Sequence, residues 1–350
     1  MNLTENELYR QDLDHLIDLE LPWEKLKDSS VLITGATGLI GSCFVDAIMT
    51  KNIRDSLGCN ICIITRDISK ASVRFGHFLD SKKIDIREHD INEPLQPSGN
   101  EHVDYIIHLA SNTHPLAYAS DPIGTITVNV IGTRNILEYA CASGSPRVVF
   151  ASSNEIYGNN RGDVELFDEG YCGYIDPNTL RAGYPESKRC GEALCQAYIR
   201  QRNVDIVIPR FTRSYGPTML ATDTKAISQF IKKAVNNEDI VLKSAGDQYY
   251  SYTYVIDAVA GLLTVMLKGQ CGDAYNIADE RSDITLKELA EMIADIRGKK
   301  VIYEMPDENE AKGYSTASKA RLDGSKLKKL GWNAHYGIRE GIERTISILL

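Results

Sequence analysis

Tyr184 and Lys188 stand four residues apart in "YPESK", downstream of the small-residue stretch "ASSNEIYG" at 151–158. On a helix that spacing places both side chains on one face. A neighbouring ammonium, helped by a nearby nicotinamide charge, lowers a phenol's pKa. The pair therefore suits proton exchange with a sugar hydroxyl while a hydride moves. A tyrosine and a lysine at this spacing also occur on ordinary surface helices. This pair gains weight from its position after the fifth of a series of strands, where such chemistry needs it.

A second pattern supplies the hydride's other partner. "VLITGATGLIGS" sets Gly35, Gly38 and Gly41 three apart, directly after an apolar run and before a helical one. Between the first strand and first helix of a doubly wound sheet, Gly35 permits a tight turn and Gly38 lets the backbone approach a pyrophosphate. Gly41 allows close helix packing, and the helix N-terminus offers unpaired N–H groups to phosphates. The pattern predicts a dinucleotide. The second strand ends in "TRD", where Arg66 would pair with the 2′-phosphate of NADP, while the adjacent Asp67 suits the ribose hydroxyls of NAD. Both cofactors stay open, with Arg66 leaning toward NADP.

The elements that must position these residues are legible in outline. β-branched runs begin at 31 ("VLIT"), 61 ("ICIIT"), 84 ("KIDIREHD"), 104 ("DYIIHLA"), 147 ("RVVFAS") and 204 ("VDIVIPRF"), alternating with helix-period segments. That alternation specifies an α/β, Rossmann-like doubly wound parallel sheet. After about residue 215 the pattern loosens into a helix near 224–237, a short "DIVLKS", the tyrosine-rich "YYSYTYV" and a helix opened by a Thr285/Glu288 capping box. The expected organisation is a helical extension over 1–29 anchored by Trp23, a cofactor-binding domain over 30–215 that carries the catalytic residues, and a region over 216–350 that is mainly a smaller mixed α/β substrate-binding part.

Composition sets limits. The net charge of −9 and the absence of a basic stripe argue against nucleic acid. No apolar run approaches the roughly 20 residues of a bilayer span, and the N-terminus lacks a signal-peptide pattern, so a cytoplasmic protein without a membrane partner is expected. Eight cysteines in 350 residues do not form a disulfide framework. Cys59 and Cys62 have the spacing of a zinc half-site, but no second pair or histidine completes one, and no metal is expected.

Taken together, "TGATGLIG", "HDI" (89–91), "HLAS" (108–111), "VNVIGT" (128–133), "ASSNEIYG", "YPESK", "RSYGP" (213–217) and "YVIDA" (254–258) resemble the extended short-chain dehydrogenases that modify nucleotide sugars. The likeness runs from about residue 29 to the end. It implies cofactor contacts from Gly35, Thr37, Gly38, Leu39, Ile40 and Gly41, with Asp90 and Ile91 flanking the adenine. Leu109, Ala110, Ser111, Asn129 and Ser152 would lie along the rest of the cofactor, and Ser153, Tyr184 and Lys188 would form the catalytic centre. It also implies a homodimer, paired through helices near 125–143 and 184–202.

Within that superfamily, 167–201 is most similar to UDP-glucuronate decarboxylases. The resemblance implies Ser153 and Glu155 beside the sugar, with Glu155 as acid or base near carbon 5. Dehydratases often carry an aspartate where this chain has Asn154, which cannot donate a carboxylic proton, so Asn154 is expected to contact substrate only. Two positions depart from the decarboxylase pattern. Tyr250 replaces an arginine that holds the diphosphate, and Arg213 replaces an asparagine. Arg213 is expected to meet a phosphate from another side, with Lys319 and Arg321 supplying further charge. Three readings follow: NAD(P)-dependent modification of a nucleotide sugar through hydride transfer at carbon 4, of decarboxylase, epimerase or dehydratase type; an NADPH-dependent reductase of a nucleotide-linked or phosphorylated keto sugar; and a non-catalytic relative, which the intact Ser153, Tyr184 and Lys188 set opposes.

Overall fold

The computed structural model describes residues 2–99, 102–113, 115–144, 146–304 and 318–350. Its main sheet contains β1 (Ser30–Thr34), β2 (Asn60–Thr65), β3 (Ile84–Glu88), β4 (Tyr105–His108), β5 (Arg147–Phe150), β6 (Ile206–Phe211) and β7 (Ala274–Ile277). They lie in the order 3-2-1-4-5-6-7, every pair parallel, with the two-residue strand Ser152–Ser153 beside β6. The order reverses between β1 and β4, the place where a doubly wound sheet opens a crevice for ligands.

Successive side chains on a strand face opposite ways, so a sheet covered on both faces needs apolar residues at nearly every position. In β1, Val31 and Ile33 join one core layer with Phe44 and Ile48 of helix α2 (Leu39–Asp55). Leu32 faces the other, with Ile136 and Leu137 of α3 (Thr133–Ala142) and Cys195 of α4 (Gly183–Arg202). Cys59 and Cys62 are divided between these two layers. Among the described residues no group of three or more His, Cys, Asp or Glu stands close enough to hold a metal.

Residues 255–277 return to this sheet. Helix α5 (Val255–Lys268) is buried along almost its whole length, and β7 pairs with β6. The cofactor fold expected to close near residue 215 is therefore completed by a later segment. "AYNI", four residues after a glycine–aspartate turn, carries too little periodicity to announce a strand. A smaller sheet, formed by Arg213–Tyr215, Tyr249–Tyr254, Asp283–Thr285 and Lys319–Ala320, stands over the carboxyl ends of the main strands. The capping box at Thr285 and Glu288 forms as expected.

The N-terminal extension packs rather than projects. Its helix Glu7–Ile17 buries Tyr9, whose hydroxyl donates to Asp46 of α2 at 2.8 Å. Asp12, fully buried, accepts from the hydroxyls of Tyr254 and Tyr336 and from Nε of Arg344, at 2.6, 2.7 and 2.7 Å. Trp23 is partly buried, with Lys51 of α2 over its ring. Among the described residues no helix is long and apolar enough to cross a membrane.

Candidate active site

One cavity of about 1470 Å³ runs from the glycine loop across the sheet's carboxyl edge and under the smaller sheet. Its floor is set by the loop between β1 and α2. Gly35 has φ +73, and a Cβ there would lie 2.7 Å from the Leu109–Ala110 peptide. Only glycine accepts both conditions. A Cβ on Gly41 would meet the Gly35 carbonyl at 2.5 Å, so this glycine is what lets α2 start against the loop. Gly38 differs, since its Cβ would touch only the Gly35 carbonyl, at 3.3 Å, and its other side faces the cavity. A phosphate-sized group fits there, against the N-terminus of α2. Thr37, Leu39 and Ile40 continue the lining, and Thr218 from the later half of the chain fastens the loop by donating to the Leu39 carbonyl at 2.8 Å.

Arg66 lies exposed at the rim of the cavity, and Ile91, Leu109, Ala110 and Ser111 form its next wall. Asp90 does not reach the lining; its carboxylate caps the Asn92 N–H at 2.9 Å, a turn that the "HDIN" sequence favours. Asn129 sits behind the wall, fully buried in a π-helical segment, Val128–Gly132. Its amide accepts from Ser111 Oγ at 2.7 Å and donates to Ser187 Oγ at 2.9 Å, tying the cofactor wall to α4. Thr133 and His108 extend this network to Thr34 at the end of β1. Burial lowers the His108 pKa to about 3, so the imidazole there is neutral.

The catalytic wall is built by the β5 exit and the start of α4. Ser153, Asn154, Glu155, Tyr184 and Lys188 all border the cavity. Ser152 borders it too, but its hydroxyl donates to Glu192 at 2.5 Å. Burial pushes the Tyr184 phenol up to about 12, against the lowering expected from the ammonium; the Ser153 hydroxyl bond and Arg181 pull it back down. Lys188, also buried, is pushed down to about 8 and donates to the Ala151 carbonyl at 2.9 Å. Lys188 stands one helical turn from the buried phenol, so both members of the pair face the same cavity wall.

Glu155 is held on both sides. Arg181 Nη2 donates to Oε2 at 2.6 Å, and Arg213 Nη2 stands 3.8 Å from Oε1. Sequence reading did not single out Arg181, because a lone arginine in "TLRAGYPESK" carries no periodic signal; its place three residues before Tyr184 was the available clue. Arg213 lies over Tyr250, its guanidinium carbon 3.4 Å from the ring centroid, and both line the cavity. Lys319 and Arg321 do not border it among the described residues. Strand pairing sets Lys319 opposite Tyr249 and exposes it, while Arg321 packs over the Tyr249 ring with Asp283 at 3.9 Å.

A cavity this large exceeds what one drug-sized ligand needs, about 300–1,000 Å³, and suits a dinucleotide and a second nucleotide-sized ligand side by side. Comparisons with known proteins agree. UDP-glucuronic acid decarboxylase 6 of Arabidopsis thaliana is 32% identical over 317 residues, covering 89% of this chain and 86% of that protein. A dTDP-glucose 4,6-dehydratase double mutant from Streptomyces venezuelae, solved with NAD bound, superposes with a TM-score of 0.77 at 24% identity, covering 91% of this chain and 96% of that one. The UDP-glucuronic acid 4-epimerase of Bacillus cereus, solved with UDP-glucuronic acid and NAD, gives 0.75 at 19% identity, with 91% and 98% covered. These two likenesses bear on the fold. A profile of the NAD dependent epimerase/dehydratase family matches residues 31–278, and with the glycine loop, Tyr184 and Lys188 in one cavity, the chain belongs to that family of NAD-dependent enzymes.

Proposed function

We propose that the protein acts on a nucleotide-linked sugar acid, oxidising carbon 4, releasing the carboxylate on carbon 5 as carbon dioxide, and reducing carbon 4 again. The observation that carries this reading is the placing of Glu155 on the same cavity wall as Ser153, Tyr184 and Lys188. The glycine loop with Gly35 and Gly38 and the N-terminus of α2 would hold NAD, which would supply the hydride acceptor and donor for carbon 4. Tyr184 accepts the carbon 4 hydroxyl proton, and Ser153 orients that hydroxyl. A 4-keto group lies β to the carboxylate, so the carbon–carbon bond can break with its electron pair delocalised onto the keto oxygen. Glu155 governs the proton that then arrives at carbon 5. Asn154, where a carboxylic acid would serve elimination, supports decarboxylation over dehydration. The similarity to UDP-glucuronic acid decarboxylases points the same way.

A second reading, a reductase that consumes NADPH, is favoured by Arg66 at the rim next to the end of β2. Mass spectrometry of UDP-glucuronic acid incubated with the purified protein separates the two. Expected is a product lighter by carbon dioxide with no net change in cofactor. No change in UDP-glucuronic acid, with a nucleotide-linked keto sugar reduced in step with NADPH consumption, would favour the reductase. A homodimer in the cytoplasm belongs to the same proposal. Its support is the exposed apolar Ile123, Ile126 and Ile131 leading into α3, near the helices that the resemblance pairs. Light scattering at micromolar concentration checks it, a monomer mass counting against it.

A further inference from the structure

We infer that Arg181 is a positioning residue that holds the acid–base carboxylate of Glu155 and the phenol of Tyr184 as one unit. Three side chains lie in succession. The Arg181 guanidinium lies 4.9 Å from the Tyr118 ring centroid, and Tyr118 stacks on Tyr184 with centroids 4.9 Å apart and planes 27° from parallel. At its edge the same guanidinium makes the 2.6 Å bond to Glu155. Its backbone belongs to a short 3-10 turn, Leu180–Ala182, that runs directly into α4, so the stack and Tyr184 share one rigid base.

The remaining donors show what this arrangement sacrifices. Nε and Nη1 of Arg181 are buried without a hydrogen-bond partner among the described residues. A buried guanidinium N–H left unpaired is unfavourable, because it has given up water without gaining a partner. A purely structural arginine would turn its fork to the carboxylate and use two donors, as Arg210 does with Glu192 through Nε and Nη2 at 2.9 and 2.7 Å. Arg181 instead sits over Tyr118 and offers one. Such unsatisfied groups concentrate where function requires a geometry that packing alone would not choose.

The electrostatic consequence follows from position. The charged groups facing the Tyr184 phenol and its stack are Arg181, Glu155 and Lys188, with Asp223 acting on Tyr118 and Arg213 on the far side of Glu155. Arg181 favours the phenolate and Glu155 opposes it. While both are charged they act on the phenol in opposite directions. When Glu155 takes up a proton during turnover, the Arg181 charge acts alone on the phenol. The pair thus links the proton at carbon 5 to the proton at carbon 4, a link that rests on the reading of Glu155 given above.

Arg181→Met and Arg181→Lys in the full chain, purified with its NAD, test this. With UDP-glucuronic acid as the probe, reduction of bound NAD and release of product are followed separately across pH. Expected for Arg181→Met is an alkaline shift of the pH profile of the reduction step by about one unit or more, and a product step slowed by about 10²-fold as Glu155 loses its place. NAD content should be unchanged, and Arg181→Lys should restore the pH profile but not the product rate, since lysine keeps the charge and loses the flat fork. A pH profile superimposable on the wild type would overturn the inference. Should the wild type reduce no NAD with this probe, the functional reading falls first. The positioning claim is then judged by thermal unfolding of Arg181→Met, Tyr118→Leu and the double variant. Non-additive shifts support a stacked unit, and additive ones overturn it.

Discussion

The guanidinium of Arg213 covers the ring of Tyr250 at 3.4 Å, and strand pairing explains how it arrives there. Arg213–Tyr215 runs parallel to Tyr249–Tyr254 with Arg213 opposite Tyr252, so a side chain from 213 reaches across to the ring at 250. The decarboxylase-like pattern has arginine at the second position and asparagine at the first. Here the charge comes from the neighbouring strand, with the tyrosine as its platform.

Arg213→Asn should therefore raise the KM for UDP-glucuronic acid by about 10- to 100-fold, the worth of one charge-assisted hydrogen bond of about 1.5–3 kcal/mol. Bound NAD should be unaffected. The double variant Arg213→Asn, Tyr250→Arg should recover most of the affinity in steady-state kinetics. A double variant no better than the single one would show that position, and not only charge, has been lost.

Tyr184→Phe removes the group that accepts the substrate's hydroxyl proton, and hydride transfer should fall by about 10²- to 10⁴-fold. Glu155→Gln leaves that step in place. It should reduce its bound NAD on adding substrate and then stall, seen as persistent absorbance of the reduced nicotinamide. Sustained turnover of this variant with NADPH would select the reductase.

Gly38→Val should remain folded by circular dichroism and lose NAD binding in calorimetry, because the added side chain enters the cavity and meets only one carbonyl. Gly35→Val should behave differently. Its backbone is left-handed, which costs an L-residue about 1–2 kcal/mol before any clash, and its Cβ strikes the Leu109–Ala110 peptide. Lost fold and lost cofactor should appear together there.

Lys188 predicts a pH signature of stability. Its folded pKa of about 8 lies below the unfolded value of about 10.4. Between the two the unfolded chain binds the extra proton, so this group's contribution grows as pH rises through that window and is lost as pH falls through 8. Chemical denaturation of Lys188→Met should lack that rise. An unchanged pH dependence would mean that the ammonium finds solvent or a counter-ion.

Residues whose role depends on local backbone were legible in the sequence. Gly35, Gly38 and Gly41 announce a strand-to-helix turn, and Tyr184 and Lys188 share a face because four residues make about one helical turn. Residues whose role depends on distant pairing were not. Arg321 looked available to substrate until the pairing of Lys319–Ala320 with Tyr249–Tyr250 turned it onto Tyr249. Asp90 was drawn into its own turn by a neighbouring N–H. Arg181 gains its meaning from Tyr118 and Glu155, each dozens of positions away in the chain.

The carboxylate of Asp12 imposes an order on how the chain is completed during synthesis. It leaves the ribosome early, yet Tyr254, Tyr336 and Arg344, which satisfy it, leave late. Burying it before they arrive would leave an uncompensated charge in an apolar layer. The native setting of the first helix is therefore complete only when these late residues are in place. A chain stopped short of Arg344 would expose the apolar faces of both ends together, a form that quality-control proteases and chaperones recognise.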